Sequence, residues 1–286
     1  MDTRKLEGRT AVVTGAGSGI GRACAQLMAA RGASLHLCDL NAASLEATAE
    51  AIRASGARVS TRQVDVSSAD QMQAFAESVH REVEAIDILI NNAGVAMAGL
   101  VEELGIDDWR WLMDINFWGV IYGQHFFLPA MIARRSGGHI ANISSMAAFA
   151  PFPGSTPYAV SKWAVRALSE CTRAEVARHG IGVTAICPGV IATGIAAAAR
   201  YRGRGDTPHF RDQLMRGMHG RGYAPEKVAR KILLAIQRNR AVAPISPEAW
   251  LGYVLGRLAP GPVRWCMQKG LERSYPCLST TAPGAP

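Results

Sequence analysis

The sequence predicts an α/β fold: a doubly wound parallel sheet of about seven strands in a single domain spanning all 286 residues. Three observations predict it. Short apolar, β-branched runs alternate with helix-length segments across residues 10–245. The first strand-to-helix join is rich in glycine. Hydrophobic residues make up 49% of the chain, enough for a sizeable core, and neither a repeat nor a long linker marks off a second unit.

Thr10–Thr14 (TAVVT) reads as a buried strand. Gly15, Gly19 and Gly21 follow in TGAGSGIG, and residues 22–31 continue as a helix. Such a join suits a dinucleotide pyrophosphate, because glycine lets the backbone approach and the helix N-terminus offers N–H groups and partial positive charge. Ser34–Asp39 (SLHLCD) is a second strand, and Asp39 lies 18 residues past Gly21. A carboxylate there accepts hydrogen bonds from ribose hydroxyls and repels a 2′-phosphate. Ser18 and Leu40 add no positive charge, so the pattern favours NAD over NADP. Asp also caps helices, which leaves open an N-cap role for Asp39 ahead of a helix at 41–55.

Residues 58–66 alternate as a third strand carrying Asp65 near its end, and Ser67 or Ser68 caps a helix running to about residue 83. Residues 86–90 form a fourth strand, followed by Asn91, Asn92, Ala93 and Gly94. Small and amide residues there suit a loop beside a cofactor, although Asn91 equally suits bracing between strands. Residues 107–135 read as one long helix, with Asn116 inside it in need of a partner. Residues 139–144 are a fifth strand, 158–178 a helix, and Ile181–Cys187 a sixth strand before the Pro188-Gly189 turn. Residues 194–224 read as a substrate lid, 225–238 as a helix and 241–245 as a seventh strand. An apolar extension follows at 248–273, and the tail from residue 279 reads as disordered.

The chemistry centres on Tyr158 and Lys162, one helical turn apart and so on one face. A phenol is a poor base near neutral pH, and an ammonium held beside it favours the phenolate and lowers its pKa. The pair is then a general acid/base for an alcohol oxygen, although four residues alone fit an ordinary helix surface equally well. Ser145 stands at the C-terminal end of the fifth strand, where open α/β sheets place ligands.

Composition narrows the class. The six cysteines are scattered without metal-ligand spacing, so the reading is no metal, no disulfide framework and a reducing, cytoplasmic setting. The N-terminus lacks the apolar core of a signal peptide. Residues 115–133 contain no charged side chain but include Asn116, Gln124, His125 and Pro129, which favours a buried helix over a membrane span. The net charge of +8 resides in residues 200–240, with 11 Lys/Arg against 3 Asp/Glu. That segment reads as a solvated face or a draw for anionic partners; no nucleic-acid motif accompanies it.

In order along the chain stand TGAGSGIG at 14–21, Asp39, Asp65-Val66, NNAG at 91–94, Asn116, Ser145, Tyr158 with Lys162, and PGVIAT at 188–193. With these the chain resembles a short-chain dehydrogenase/reductase of the shorter, non-extended branch, closely over residues 6–194 and loosely over 225–245. The resemblance implies a Rossmann-like fold and Tyr158 as acid/base. It implies Lys162 as the group that tunes Tyr158 and holds the nicotinamide ribose. Ser145, favoured over Ser144 by its spacing to Tyr158, is implied as the substrate hydrogen bond, and Asn116 as the support of a water relay. Gly15, Ser18, Gly19 and Ile20 are implied at the pyrophosphate, Asp65 and Val66 near adenine, and Asn92, Ala93 and Gly94 along the cofactor. Pro188, Gly189, Ile191 and Thr193 are implied on the carboxamide side. The family's usual assembly implies a homodimer or homotetramer through the helices at 107–135 and 158–178.

The expected activity is NAD-dependent interconversion of a secondary alcohol and a ketone. The substrate expected is hydrophobic, such as a steroid, a lipid or another bulky alcohol, with Met146 and Phe152 joining Ser145 and Tyr158 around it, and Phe149 and Pro153 on the same wall. The alternatives are a 3-oxoacyl thioester reductase using the basic segment, and a dinucleotide sensor without turnover. The extension after residue 245 departs from the family pattern and is read as a substrate cover, an interface or a peripheral membrane contact.

Overall fold

The computed structural model describes residues 1–150, 152–208, 211–212 and 223–274. Cys277, the tail and part of the expected lid lie outside the described residues. One seven-stranded parallel sheet forms the centre, in the order β3-β2-β1-β4-β6-β7-β9. Its strands are β1 (Thr10–Thr14), β2 (Ser34–Asp39), β3 (Val59–Gln63), β4 (Ile88–Asn91), β6 (Gly138–Ile143), β7 (Ile181–Cys187) and β9 (Val242–Pro244). The strands in the middle of the sheet are buried on both faces, which explains their unbroken apolar runs. Strand β3 is shorter than the alternating pattern implied, because it is an edge strand with a half-exposed surface.

Helices α1 (Gly19–Ala29), α2 (Ala42–Arg53) and α7 (Pro225–Gln237) cover one face and share a core with β1, β2 and β4. Helices α3 (Ala69–His80), α5 (Gly119–Arg134) and α6 (Thr156–Val176) cover the other, around Phe75, Phe127 and Met131. Ser68 caps α3, accepting from the Gln71 N–H. Strand order reverses between β1 and β4, the topological position at which open α/β sheets form a crevice.

Two features depart from the sequence reading. The single helix expected over residues 107–135 is α4 (Ile106–Met113), a π turn at Asp114–Trp118, and then α5. Asn116 sits in that turn, and π turns often mark sites where one side chain must be re-aimed. A small parallel ladder also pairs β5 (Met97–Ala98) with β8 (Arg200–Tyr201).

Several cations of the basic segment are engaged internally. Arg202 pairs with Asp108 at 2.8 Å, Arg204 with Glu103 at 3.5 Å, and Arg211 with Asp206. Arg200 stacks on Trp111 at 3.7 Å. The apolar extension forms α8 (Pro247–Leu258) and α9 (Pro260–Ser274). Among the described residues no helix is long and apolar enough to cross a membrane.

Candidate active site

The C-terminal ends of β1, β4, β6 and β7 surround a cleft of about 400 Å³. At its β1 end, Thr14 Oγ1 accepts from the N–H groups of Asn92 (3.0 Å) and Ala93 (3.1 Å). Asn92 Nδ2 donates back to the carbonyls of Thr14 (2.9 Å) and Gly15 (3.0 Å). This stapling requires glycine. Gly15 has φ +64°, and a Cβ on it would lie 2.8 Å from Ala93 Cα. A Cβ on Gly21 would lie 2.1 Å from the Gly15 carbonyl oxygen. Ser18 is the N-cap of α1, yet its side chain makes no capping bond. Its hydroxyl and the first turn of α1 line the cleft, a combination suited to a pyrophosphate.

Asp39 lies on the cleft beside Leu40. The capping role belongs instead to Asn41, which accepts from the Ser44 N–H at 3.0 Å. Asp39 Oδ2 accepts from the Gly17 N–H at 2.8 Å and Oδ1 from the Asn41 N–H at 2.9 Å, which ties the acid to the glycine turn. Asp65, Val66, Ala93 and Gly94 line the same cleft, as do Gly19, Ile20, Pro188, Gly189, Ile191 and Thr193. Gly21 lies beneath it, where it allows the turn to close.

At the other end stand Ser144, Ser145, Tyr158 and Lys162. The two serines divide by contact. Ser144 Oγ donates to the Lys162 carbonyl at 2.7 Å and so fastens β6 to α6. Ser145 Oγ accepts from the Ala147 N–H at 3.2 Å, opening a short 3₁₀ turn. Lys162 is buried, and Nζ donates to the Ile143 carbonyl at 3.0 Å. Burial lowers its pKa to about 8.

The Tyr158 phenol lies above its ordinary value, and Lys162 is not among the causes. Burial pushes the phenol up, and the Ser145 hydroxyl bond works against that rise. Lys162 Nζ is 5.6 Å from the phenol ring centre and spends its hydrogen bond on Ile143, so lost hydration decides the direction.

Asn116 does not line the cleft. Its Oδ1 accepts from the Val95 N–H at 2.8 Å, and Nδ2 donates to the Val95 carbonyl (2.9 Å) and Ser161 Oγ (3.2 Å). It is fully buried and fixes the loop carrying Gly94 and Val95, both on the cleft. Asn91 is a brace between strands, donating to Asn142 Oδ1 at 2.9 Å.

Of the four expected substrate residues, only Ser145 and Tyr158 line the cleft; Met146 and Phe152 do not. The Met146 N–H is held by the Pro188 carbonyl at 2.7 Å, and Phe152 is an exposed side chain. Phe149, placed by the sequence reading on the same wall, turns away to pack edge-to-face on Tyr253 of α8, with ring centres 5.0 Å apart. Pro153 also lies off the cleft. The sequence reading missed Val64, Val95, Ile115 and Ile143, which supply apolar lining together with Ile195 of the expected lid. Position next to a recognised site residue was the available signal: Ile115 precedes Asn116, and Val95 follows Gly94.

Comparison with known proteins shows the same family and fold. A family model described as short chain dehydrogenase matches residues 9–202. The probable oxidoreductase EphD of Mycobacterium tuberculosis is 38% identical over 256 residues, which is 88% of this chain but 43% of that protein. The chain therefore spans less than half the length of that relative. The putative oxidoreductase SadH of M. tuberculosis is 34% identical over 273 residues, covering 95% of this chain and 98% of that one. A short chain dehydrogenase/reductase from Burkholderia phymatum, solved in complex with NAD, superposes with a TM-score of 0.82 at 31% identity, over 93% of this chain and 97% of that chain. The matched segment carries the glycine turn, the amide loop and the Ser145–Tyr158–Lys162 group, and on that agreement the chain belongs to the short-chain dehydrogenase family of oxidoreductases.

Proposed function

We propose that this oxidoreductase uses NAD to interconvert a secondary alcohol and a ketone on a hydrophobic substrate. The observation that carries the reading is one cleft with Asp39 at one end and Ser145, Tyr158 and Lys162 at the other. NAD, when bound, supplies the carbon that accepts or returns the hydride. The chain's own groups handle the proton and the positioning. Tyr158 takes the proton from the alcohol oxygen in oxidation and returns it in reduction. Ser145 holds that oxygen by a hydrogen bond. Lys162, its Nζ 5.6 Å from the phenol ring centre, is read as the cation that favours the phenolate against the effect of burial. Asn116 acts as a positioning residue through Val95 and Gly94.

The NAD preference rests on Asp39 beside the uncharged Leu40, and is in keeping with the NAD-bound relative from B. phymatum. The hydrophobic substrate class rests on the apolar lining by Val95, Ile115, Ile143 and Ile195. Trp118, Val160 and Trp163 are exposed on the α5–α6 side and suit a homodimer or homotetramer face. The thioester-reductase alternative is ranked lower, since Ser18 and Leu40 offer no cation to a 2′-phosphate.

The experiment is turnover on a panel of steroid, lipid and bulky secondary alcohols with NAD and NADP side by side. The expectation is NAD preference, with Tyr158→Phe abolishing turnover while still binding NAD. Undiminished turnover by Tyr158→Phe, or a strong NADP preference, overturns the reading.

A further inference from the structure

Helix α8 meets the body of the protein with one face. Ala249 is fully buried, Tyr253 packs on Phe149, and a Cβ on Gly256 would lie 2.8 Å from the Phe149 carbonyl oxygen. The other face stands largely open to solvent, with Trp250 touching Tyr253 and Arg240 at its edge. It carries Trp250, Leu251, Val254, Leu255 and Leu258, exposed by 42, 59, 41, 39 and 79%. Their spacing of i, i+1, i+4, i+5 and i+8 makes one continuous stripe on a helix. Trp265 on α9 is 62% exposed as well. Scattered exposed apolar side chains are ordinary, but a contiguous stripe marks an interaction surface.

The charges around the stripe are mainly positive. From residue 238 to the end of α9 stand Arg238, Arg240, Arg257, Arg264, Lys269 and Arg273, against Glu248 and Glu272. Glu248 turns inward, accepting from the Val190 N–H at 2.8 Å. Arg240 lies 6.0 Å from the Trp250 ring centre and Arg257 4.7 Å from that of Tyr253, so cations flank the stripe. A second copy on this face would set two like-charged rims against each other. An anionic bilayer instead accepts apolar side chains at the headgroup boundary and pairs its phosphates with the cations, and tryptophan favours that depth.

We propose that the outer face of α8, with the start of α9, docks this protein onto anionic lipid surfaces. The chain lies on the membrane rather than across it. The test is flotation of the full chain with phosphatidylcholine vesicles containing phosphatidylglycerol, against phosphatidylcholine alone. The expectation is binding to the anionic vesicles only, weakened by salt and reduced about tenfold or more in Leu251→Glu/Leu255→Glu. Thermal unfolding and sedimentation velocity establish that this variant is folded and of unchanged mass. Should it misfold, Arg257→Gln/Arg264→Gln takes its place, with the expected loss confined to the salt-sensitive part of binding. Wild-type protein that fails to float, floats equally on both vesicle types, or keeps its binding in the variants overturns the proposal. So does a fall in sedimenting mass in Leu251→Glu/Leu255→Glu without wild-type flotation, which assigns the face to a second copy.

Discussion

Ser144 and Ser145 are adjacent, both buried, and both line the cleft, yet their contacts predict opposite outcomes on replacement. Ser144→Ala removes the hydroxyl bond to the Lys162 carbonyl. That carbonyl lies inside α6 and keeps its helical partner, so no polar group is orphaned and the loss is about 1 kcal/mol. Ser145→Ala removes the cap of a 3₁₀ turn through the Ala147 N–H, again about 1 kcal/mol. Each variant should therefore lose a similar few degrees of Tm, about 2–4 °C. Activity separates them. Under the proposed function Ser145 holds the substrate oxygen as charge develops on it, and losing such a donor lowers kcat by about 10²–10³-fold. Ser144→Ala should stay within about threefold of the wild type, since a bond worth about 1 kcal/mol to stability is not made to the reacting atoms. The assay is kcat and KM on whichever alcohol of the panel turns over, alongside thermal melts. Wild-type turnover in Ser145→Ala, or an equal loss in Ser144→Ala, refutes the assignment of the two hydroxyls.

Three further outcomes follow from the geometry. Gly21→Ala drives a methyl group to 2.1 Å from the Gly15 carbonyl oxygen, so the glycine turn must open. A loss of about 1–3 kcal/mol is expected in denaturant unfolding, with weakened NAD binding by calorimetry. Glu248→Ala strips the acceptor from the Val190 N–H in the loop at 188–193. It should raise KM for NAD more than it lowers kcat, and Glu248→Gln, which keeps an acceptor oxygen, should restore most of the loss. His139 is buried with its pKa lowered to about 3, burial being the main cause and the Arg173 charge a lesser one. The unfolded chain binds this proton from pH 6.5 downward and the folded chain only near pH 3, so stability is lost as pH falls across that window. In His139→Gln the urea midpoint should depend less steeply on pH between these limits, and an unchanged slope would remove His139 from the account.

Much of the fold was legible because its signals are local. Parallel strands buried on both faces must be apolar along their length, so Thr10–Thr14 and Ile181–Cys187 declare themselves with the observed bounds. The glycine turn is legible because no other residue fits at Gly15 or Gly21, and so is Asp39 at the end of β2. The π turn was not legible. Its cause is the match of Asn116 to Val95 and Ser161, residues 21 and 45 positions away. Strand β3 was overextended because its apolar pattern runs on to Val66, whereas its one neighbour β2 ends at Asp39, opposite Gln63.

Sequence alone determined the residue types and the order in which they meet the cleft, because glycine geometry, strand burial and helical spacing act within a few residues. Only the tertiary structure decided what each side chain spends itself on. Ser144 goes to α6, leaving Ser145 as the hydroxyl for the substrate. Phe149 goes to Tyr253 instead of the cleft wall. Burial pushes the Tyr158 phenol up. Each of these outcomes depends on hydration lost or partners gained from segments remote in the chain, and those appear only when the elements pack.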